Sequence, residues 1–213
     1  MRVEKRVLND ALRVLGKVVS QTSPVELYRS VRFVGNGDGV MAMATDGVET
    51  VSVILDAFAE TEIDFCVPFK ELKDQVRMGR SETIELTGKF IEFPAFEEPD
   101  ADAVSTILPV NFGELLTQAA PIVDRTGYRR VLHGINLSHA GVTVTDGKQL
   151  LHLPCVLSLP KDVTIPFPSA LLAAKTSEMG TLQVWDKFFQ IEIGLIDRKC
   201  NILLLKNFGH LTK

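Results

Sequence analysis

The chain has 213 residues, a formal net charge of −4 and 46% hydrophobic residues, enough for one or two domains with a packed core. The mildly acidic total means that any contact with nucleic acid would rest on a local basic surface. No apolar run reaches the roughly 20 residues of a membrane span, and Met1-Arg2-Val3-Glu4-Lys5-Arg6 has no apolar segment behind its charges, so a soluble, cytoplasmic chain with no membrane partner and no secretory signal is expected.

The first element is an amphipathic helix. Val3, Val7, Ala11, Leu15 and Val18 recur at helical spacing, and Arg2, Arg6, Arg13 and Lys17 fall together on the opposite face at 100° per residue. Strands over 31–34 and 40–44 follow, joined by the turn Gly35-Asn36-Gly37-Asp38-Gly39. Thr45-Asp46-Gly47 is a turn signal, because aspartate accepts from nearby backbone N–H groups and glycine takes positive φ. A strand over 49–55 comes next. A helix over 68–78 then opens on Pro68, and Lys70, Lys73, Arg77 and Arg80 share its spacing. Strands over 83–86 and 90–93 lead into the acidic, proline-bearing stretch 94–102, which reads as a linker.

The same order then returns. Phe112, Leu115, Leu116 and Ala119 mark a helix stopped by Pro121. Strands over 131–137 and 142–144 flank His139-Ala140-Gly141. Thr145-Asp146-Gly147 precedes a strand over 149–156. A helix from Pro166 or Pro168 to 174 and strands over 182–185 and 188–193 complete the unit, with Trp185, Phe188 and Phe189 expected to pack strands. The copies also match in detail. Tyr28-Arg29-Ser30-Val31 recurs as Tyr128-Arg129-Arg130-Val131, Ala44-Thr45-Asp46-Gly47 as Val144-Thr145-Asp146-Gly147, and Val67-Pro68-Phe69 as Ile165-Pro166-Phe167. Gly79 followed by Lys89-Phe90 recurs as Gly180 followed by Lys187-Phe188. Four collinear matches at a shift of about 100 residues mark an internal duplication. The expected fold class is α+β, a tandem repeat of two domains (1–98 and 104–213), each with two helices packed on antiparallel sheets.

Two segments carry a family resemblance. They are Tyr128-Arg129-Arg130-Val131-Leu132-His133-Gly134-Ile135-Asn136-Leu137 with Val142-Thr143-Val144-Thr145-Asp146-Gly147-Lys148-Gln149-Leu150, and the stretch from Pro24 to Asp46. They resemble the repeated domain of the DNA sliding clamp, the beta subunit of bacterial DNA polymerase III. The resemblance departs at Lys148-Gln149, where the family has a His-Arg pair, and around 89–93, where the family fits another strand. The family's clamp has three such domains per chain and closes a six-domain ring from two chains. This sequence ends at Lys213, about where a second domain should end, so a two-domain form or a truncation is expected.

The resemblance implies a non-enzymatic processivity factor that encircles duplex DNA without reading its sequence and tethers DNA polymerase and clamp-loader peptides. It also implies a homo-oligomer. The helices are the ones that line the family's central hole, so Arg2, Arg6, Arg13, Lys17, Lys70, Lys73, Arg77 and Arg80 would face DNA, with Arg125 and Lys175 the cations of the second copy. Thr145, Gly147, Lys148, Gln149 and Leu150 would form one half of the partner-peptide pocket. The alternative is a clamp-derived protein-interaction module that does not encircle DNA.

Catalysis has no sequence support. No phosphate loop or nucleophile elbow occurs, and Asp46 and Asp146 occupy equivalent turns rather than one site. Cys66, Cys155 and Cys200, and His133, His139, His152 and His210, show no ligand spacing, so no disulfide framework, metal site or cofactor is expected.

Overall fold

The computed structural model describes residues 1–37, 39–93, 103–123, 129–174, 179–185, 188–195 and 200–207. The chain divides into two compact units, Met1–Glu98 with Leu195–Leu203, and Pro99–Gly194 with Leu204–Lys213. The linker stretch 94–102 lies outside the described residues.

The first unit is built on antiparallel strands. They are β1 (Arg2–Glu4), β2 (Ser30–Gly37), β3 (Gly39–Thr45), β4 (Glu49–Leu55), β5 (Ala57–Pro68) and β6 (Thr83–Glu85), in the spatial order β6-β1-β5-β2-β3-β4. Two helices cover them, α1 (Lys5–Leu15) and α2 (Phe69–Met78). The apolar face of α1 is Leu8, Ala11, Leu12 and Leu15, an i, i+3, i+4, i+7 stripe that is almost wholly buried. This corrects the expected stripe. Val3 is buried, but on a strand, and Val7 is only half-buried, because the helix phase starts at Lys5 rather than at the N-terminus. The two helices run antiparallel side by side. Lys5 Nζ donates to Gly79 O at 2.9 Å at one end, and at the other a Cβ on Gly16 would sit 2.7 Å from the Phe69 ring.

The second unit repeats this plan. Strands β7 (Val104–Leu108), β12 (Gly180–Val184) and β13 (Phe188–Leu195) pair antiparallel, and a four-stranded sheet has the order β10-β9-β8-β11. Its strands are β8 (Gly134–Ser138), β9 (Gly141–Thr145), β10 (Leu150–Pro154) and β11 (Val163–Pro166). α3 (Phe112–Ala119) buries Phe112, Leu115, Leu116 and Ala119, the four residues of its expected stripe. It packs with the short α4 (Leu171–Ala174). A last strand, β14, spans Cys200–Asn207. Phe189 is fully buried, and Trp185 lies half-buried just beyond β12.

Two expected strands take another form. The stretch 131–137 begins as a 3-10 turn, Arg130–His133, and becomes strand only at Gly134. The stretch 90–93 is not a strand. A single bridge, Lys89 to Cys66, holds this segment against β5, with Cys66 N–H donating to Lys89 O at 2.7 Å. Lys89 Nζ reaches Glu26 at 2.6 Å. The Phe93 ring covers the Arg32 guanidinium at 5.4 Å, and Arg32 donates through Nε and Nη2 to both oxygens of Asp64 at 2.7 Å each. A side-chain bond and an aromatic lid thus do what further ladder bonds would do in a strand.

The Arg32 hydrogen bonds hold the Asp64 carboxyl below the usual carboxylate range. A depressed folded-state pKa contributes stability that is fully present above the unfolded value, about 3.9, and is lost as the pH falls through the folded one. Both side chains are partly exposed, so solvent screening keeps the pair's contribution modest. Asp64→Asn is expected to lower the urea-unfolding free energy at pH 7 by about 1 kcal/mol. At pH 2 the deficit should be smaller than at pH 7. An equal deficit at both pH values would show that packing, not charge, is lost.

Candidate functional site

Each unit carries the same clasped turn. In the first, Asp46 Oδ1 accepts from the N–H groups of Val48 and Glu49 at 2.8 and 2.7 Å, and Thr45 Oγ1 donates to Glu49 O at 2.9 Å. In the second, Asp146 Oδ1 accepts from Lys148 and Gln149 at 2.8 and 2.7 Å, and Thr145 Oγ1 donates to Gln149 O at 2.6 Å. The Gln149 and Lys148 N–H groups hold the Asp146 carboxyl below its usual range. Gly47 and Gly147 have φ of +90° and +88°, where a side chain is strained. The repeated motif is therefore a hairpin clasp first. It brings Thr145, Gly147, Lys148, Gln149 and Leu150 together, with the last four exposed and Leu150 70% exposed.

Sequence reasoning missed the rest of that surface. Leu150, His152, Pro154 and Val156 alternate along and just past β10, and all four are exposed, Val156 by 77%. Val156 carried a signal, since it is an apolar residue in phase with Leu150 at period two. His152 is fixed by Nδ1 to Thr143 Oγ1 at 2.9 Å on the neighbouring strand.

The expected DNA-facing residues separate into groups. Arg6 and Arg13 on α1, Lys17 just beyond its end, and Lys70, Lys73 and Arg77 on α2 are exposed. Arg13 and Arg77 make only surface i, i+3 pairs, to Asp10 at 3.5 Å and Asp74 at 3.2 Å, which neutralise little. Lys73 lies over the Phe69 ring at 5.8 Å. Arg2 does not join them. It sits on β1 and is bonded to Glu85 at 2.8 Å, because strand pairing with β6 takes the first residues out of the helix. Arg80 is exposed beyond the end of α2. Arg125 and Lys175 lie outside the described residues. From Lys5 to Lys17 and from Phe69 to Met78, seven cations face three carboxylates, although residues 1–98 hold more carboxylates than cations in all. Cationic charge is thus segregated onto the helices. A shallow groove of about 470 Å³ beside α2 is lined by Pro68, Lys70, Glu71, Asp74, Gln75 and Met78.

No group of three or more His, Cys, Asp or Glu side chains that could hold a metal occurs among the described residues. Nor is any described helix long and apolar enough to cross a membrane.

No protein-family model and no curated protein sequence matches the chain. Solved structures do. The DNA polymerase III subunit beta of Pseudomonas aeruginosa superposes with a TM-score of 0.77 at 14% identity, over 97% of this chain and 64% of that one. The fold is that of the DNA sliding clamp. The clamp of Bacillus subtilis matches with a TM-score of 0.75 at 16% identity, over 100% of this chain and 65% of its own. The Helicobacter pylori beta clamp bound to a DNA ligase peptide matches with 0.76 at 17%, over 100% and 68%. The chain thus spans under two thirds of the length of the first two clamps.

The two clasps differ in how tightly their glycines are held. A Cβ on Gly47 would meet the Tyr28 hydroxyl at 2.5 Å, whereas one on Gly147 would meet only Leu132 Cδ1 at 3.5 Å. Both alanine variants carry the positive-φ strain of about 1 kcal/mol. Gly47→Ala is expected to cost more than Gly147→Ala in urea melts; equal losses would show that Tyr28 moves aside freely.

Proposed function

We propose that the protein is a clamp-like processivity factor that encircles duplex DNA independently of sequence and tethers DNA polymerase or another replication protein to it. The observation that carries this reading is the cationic face of the antiparallel α1–α2 pair on a sliding-clamp fold. Phosphates attract such a face whatever the bases are. Its cations sit on flexible, exposed stems, so each contact is weak and salt-screened. Retention on DNA then comes from encirclement, which needs no catalysis and no cofactor. Such a role belongs where the chromosome is, in the cytoplasm of a bacterium-like cell.

A second reading, a clamp-derived protein-interaction module that does not encircle DNA, draws on the exposed Leu150 beside the Asp146 clasp. Leu150 with Thr145, Gly147, Lys148 and Gln149 offers an apolar contact rimmed by polar groups, which suits a short peptide from a polymerase or clamp loader.

Fluorescence anisotropy with a labelled duplex across a salt series tests the first reading. Affinity should fall steeply with salt, and Lys70→Ala/Lys73→Ala/Arg77→Ala should flatten the log–log slope by up to about 0.9 per lost phosphate contact. Binding indifferent to salt would remove the lining. A DNA ligase peptide of the kind held by the Helicobacter pylori clamp tests the pocket. Leu150→Asp should abolish its binding, and no binding by the unmutated chain would remove the pocket.

A further inference from the structure

The turn Gly35-Asn36-Gly37-Asp38-Gly39 serves neither the cationic helices nor the Asp146 clasp. It is the tip of the β2–β3 hairpin, where Asn36 lies opposite Gly39. Of the chain's six asparagines, Asn36 alone is followed by glycine. That pair has a chemistry of its own. The side-chain amide carbon of an asparagine and the backbone nitrogen of the next residue can close a succinimide ring, and glycine leaves that nitrogen unshielded by any side chain.

The hairpin presents the pair openly. Asn36 and Gly37 are both exposed, and the Asn36 side chain makes no hydrogen bond among the described residues. A Cβ placed on Gly37 would meet no atom within 4 Å. The β2–β5 ladder shifts register between Gly35 and Gly37, so regular pairing is broken at the same point. The other described asparagines sit differently. Asn9 lies within α1, Asn111 precedes the buried Phe112, and Asn136 on β8 donates to Thr164 Oγ1 at 3.2 Å.

We propose that Asn36 is a self-modification site, where the chain converts its own asparagine to aspartate and isoaspartate without an enzyme. Gly37 N gives up its proton and attacks Asn36 Cγ. A bond forms between them, the bond from Cγ to the side-chain nitrogen breaks, and that nitrogen leaves as ammonia with the proton. Water, the only co-reactant, then opens the ring. Attack at Cγ leaves aspartate in a normal chain. Attack at the main-chain carbonyl carbon of residue 36 leaves isoaspartate, with Gly37 joined through Cγ. Either product puts a new carboxylate at the tip, near the exposed Glu60 that follows Ala59, the partner of Gly37 on β5. Isoaspartate also adds a methylene to the main chain at the pair that closes the hairpin. The strands are in close contact there, since a Cβ on Gly35 would collide with Gly39 O.

The purified full chain, held at mildly alkaline pH, should convert Asn36 while Asn9, Asn111 and Asn136 persist, read by peptide mapping with mass spectrometry. The isoaspartate fraction should accept a methyl group from S-adenosylmethionine when a protein isoaspartyl methyltransferase is added. The rate should rise with hydroxide concentration, because Gly37 N must lose its proton. Gly37→Ala should slow conversion severalfold, since its methyl group crowds the attacking nitrogen. An Asn36 that stays intact in the folded chain but converts in the urea-unfolded chain would overturn the proposal, because the fold would then protect the pair. So would conversion no faster than at Asn9, Asn111 or Asn136, or a rate that Gly37→Ala leaves unchanged.

Discussion

The register of both hairpins depends on one side chain each. Asp46 and Asp146 gather two backbone N–H groups through a single oxygen, and the threonine before each closes the far side of the turn. A one-residue slip in either hairpin would turn every side chain to the other face. In the first unit that would expose Val51, Val53 and Leu55, all buried. In the second it would send Leu150 and Val156 inward and Leu153 and Leu157 outward. The clasp is thus what decides which residues are core and which are surface, and also which backbone groups β10 presents at its edge.

The same scaffold carries unequal surfaces in its two copies. The first concentrates cations on α1 and α2, and the second exposes an apolar row beside its clasp. Even the clasps differ, because the Tyr28 hydroxyl closes over Gly47 while Gly147 stays open to solvent. The two units share the clasp, and side chains that point away from the core differ between them. Electrostatics then follows local packing rather than the total. The strand β5 carries Glu60, Glu62 and Asp64 while the helices carry lysine and arginine, so the first unit holds a basic face despite an acidic sum.

Most elements were legible because period and punctuation agree. Glu49–Leu55 is a strand from end to end, as expected after the turn, and the stripe of α3 is the one its spacing gives. The failures have local causes. Strand β1 could not be seen, because three residues are too few to show a period and their pairing partners lie about 55 and 80 residues away. That hidden strand is why Arg2 and Val3 leave the helix. Phe90 to Phe93 looks like a strand by composition, but its segment is held by the Lys89–Cys66 bridge, the Lys89–Glu26 pair and the Phe93 ring over Arg32, a tertiary arrangement with no sequence periodicity. The clasp was readable as a turn. The outward row of β10 was half-readable, since Leu150 belonged to the family motif while His152, Pro154 and Val156 needed the register to be known.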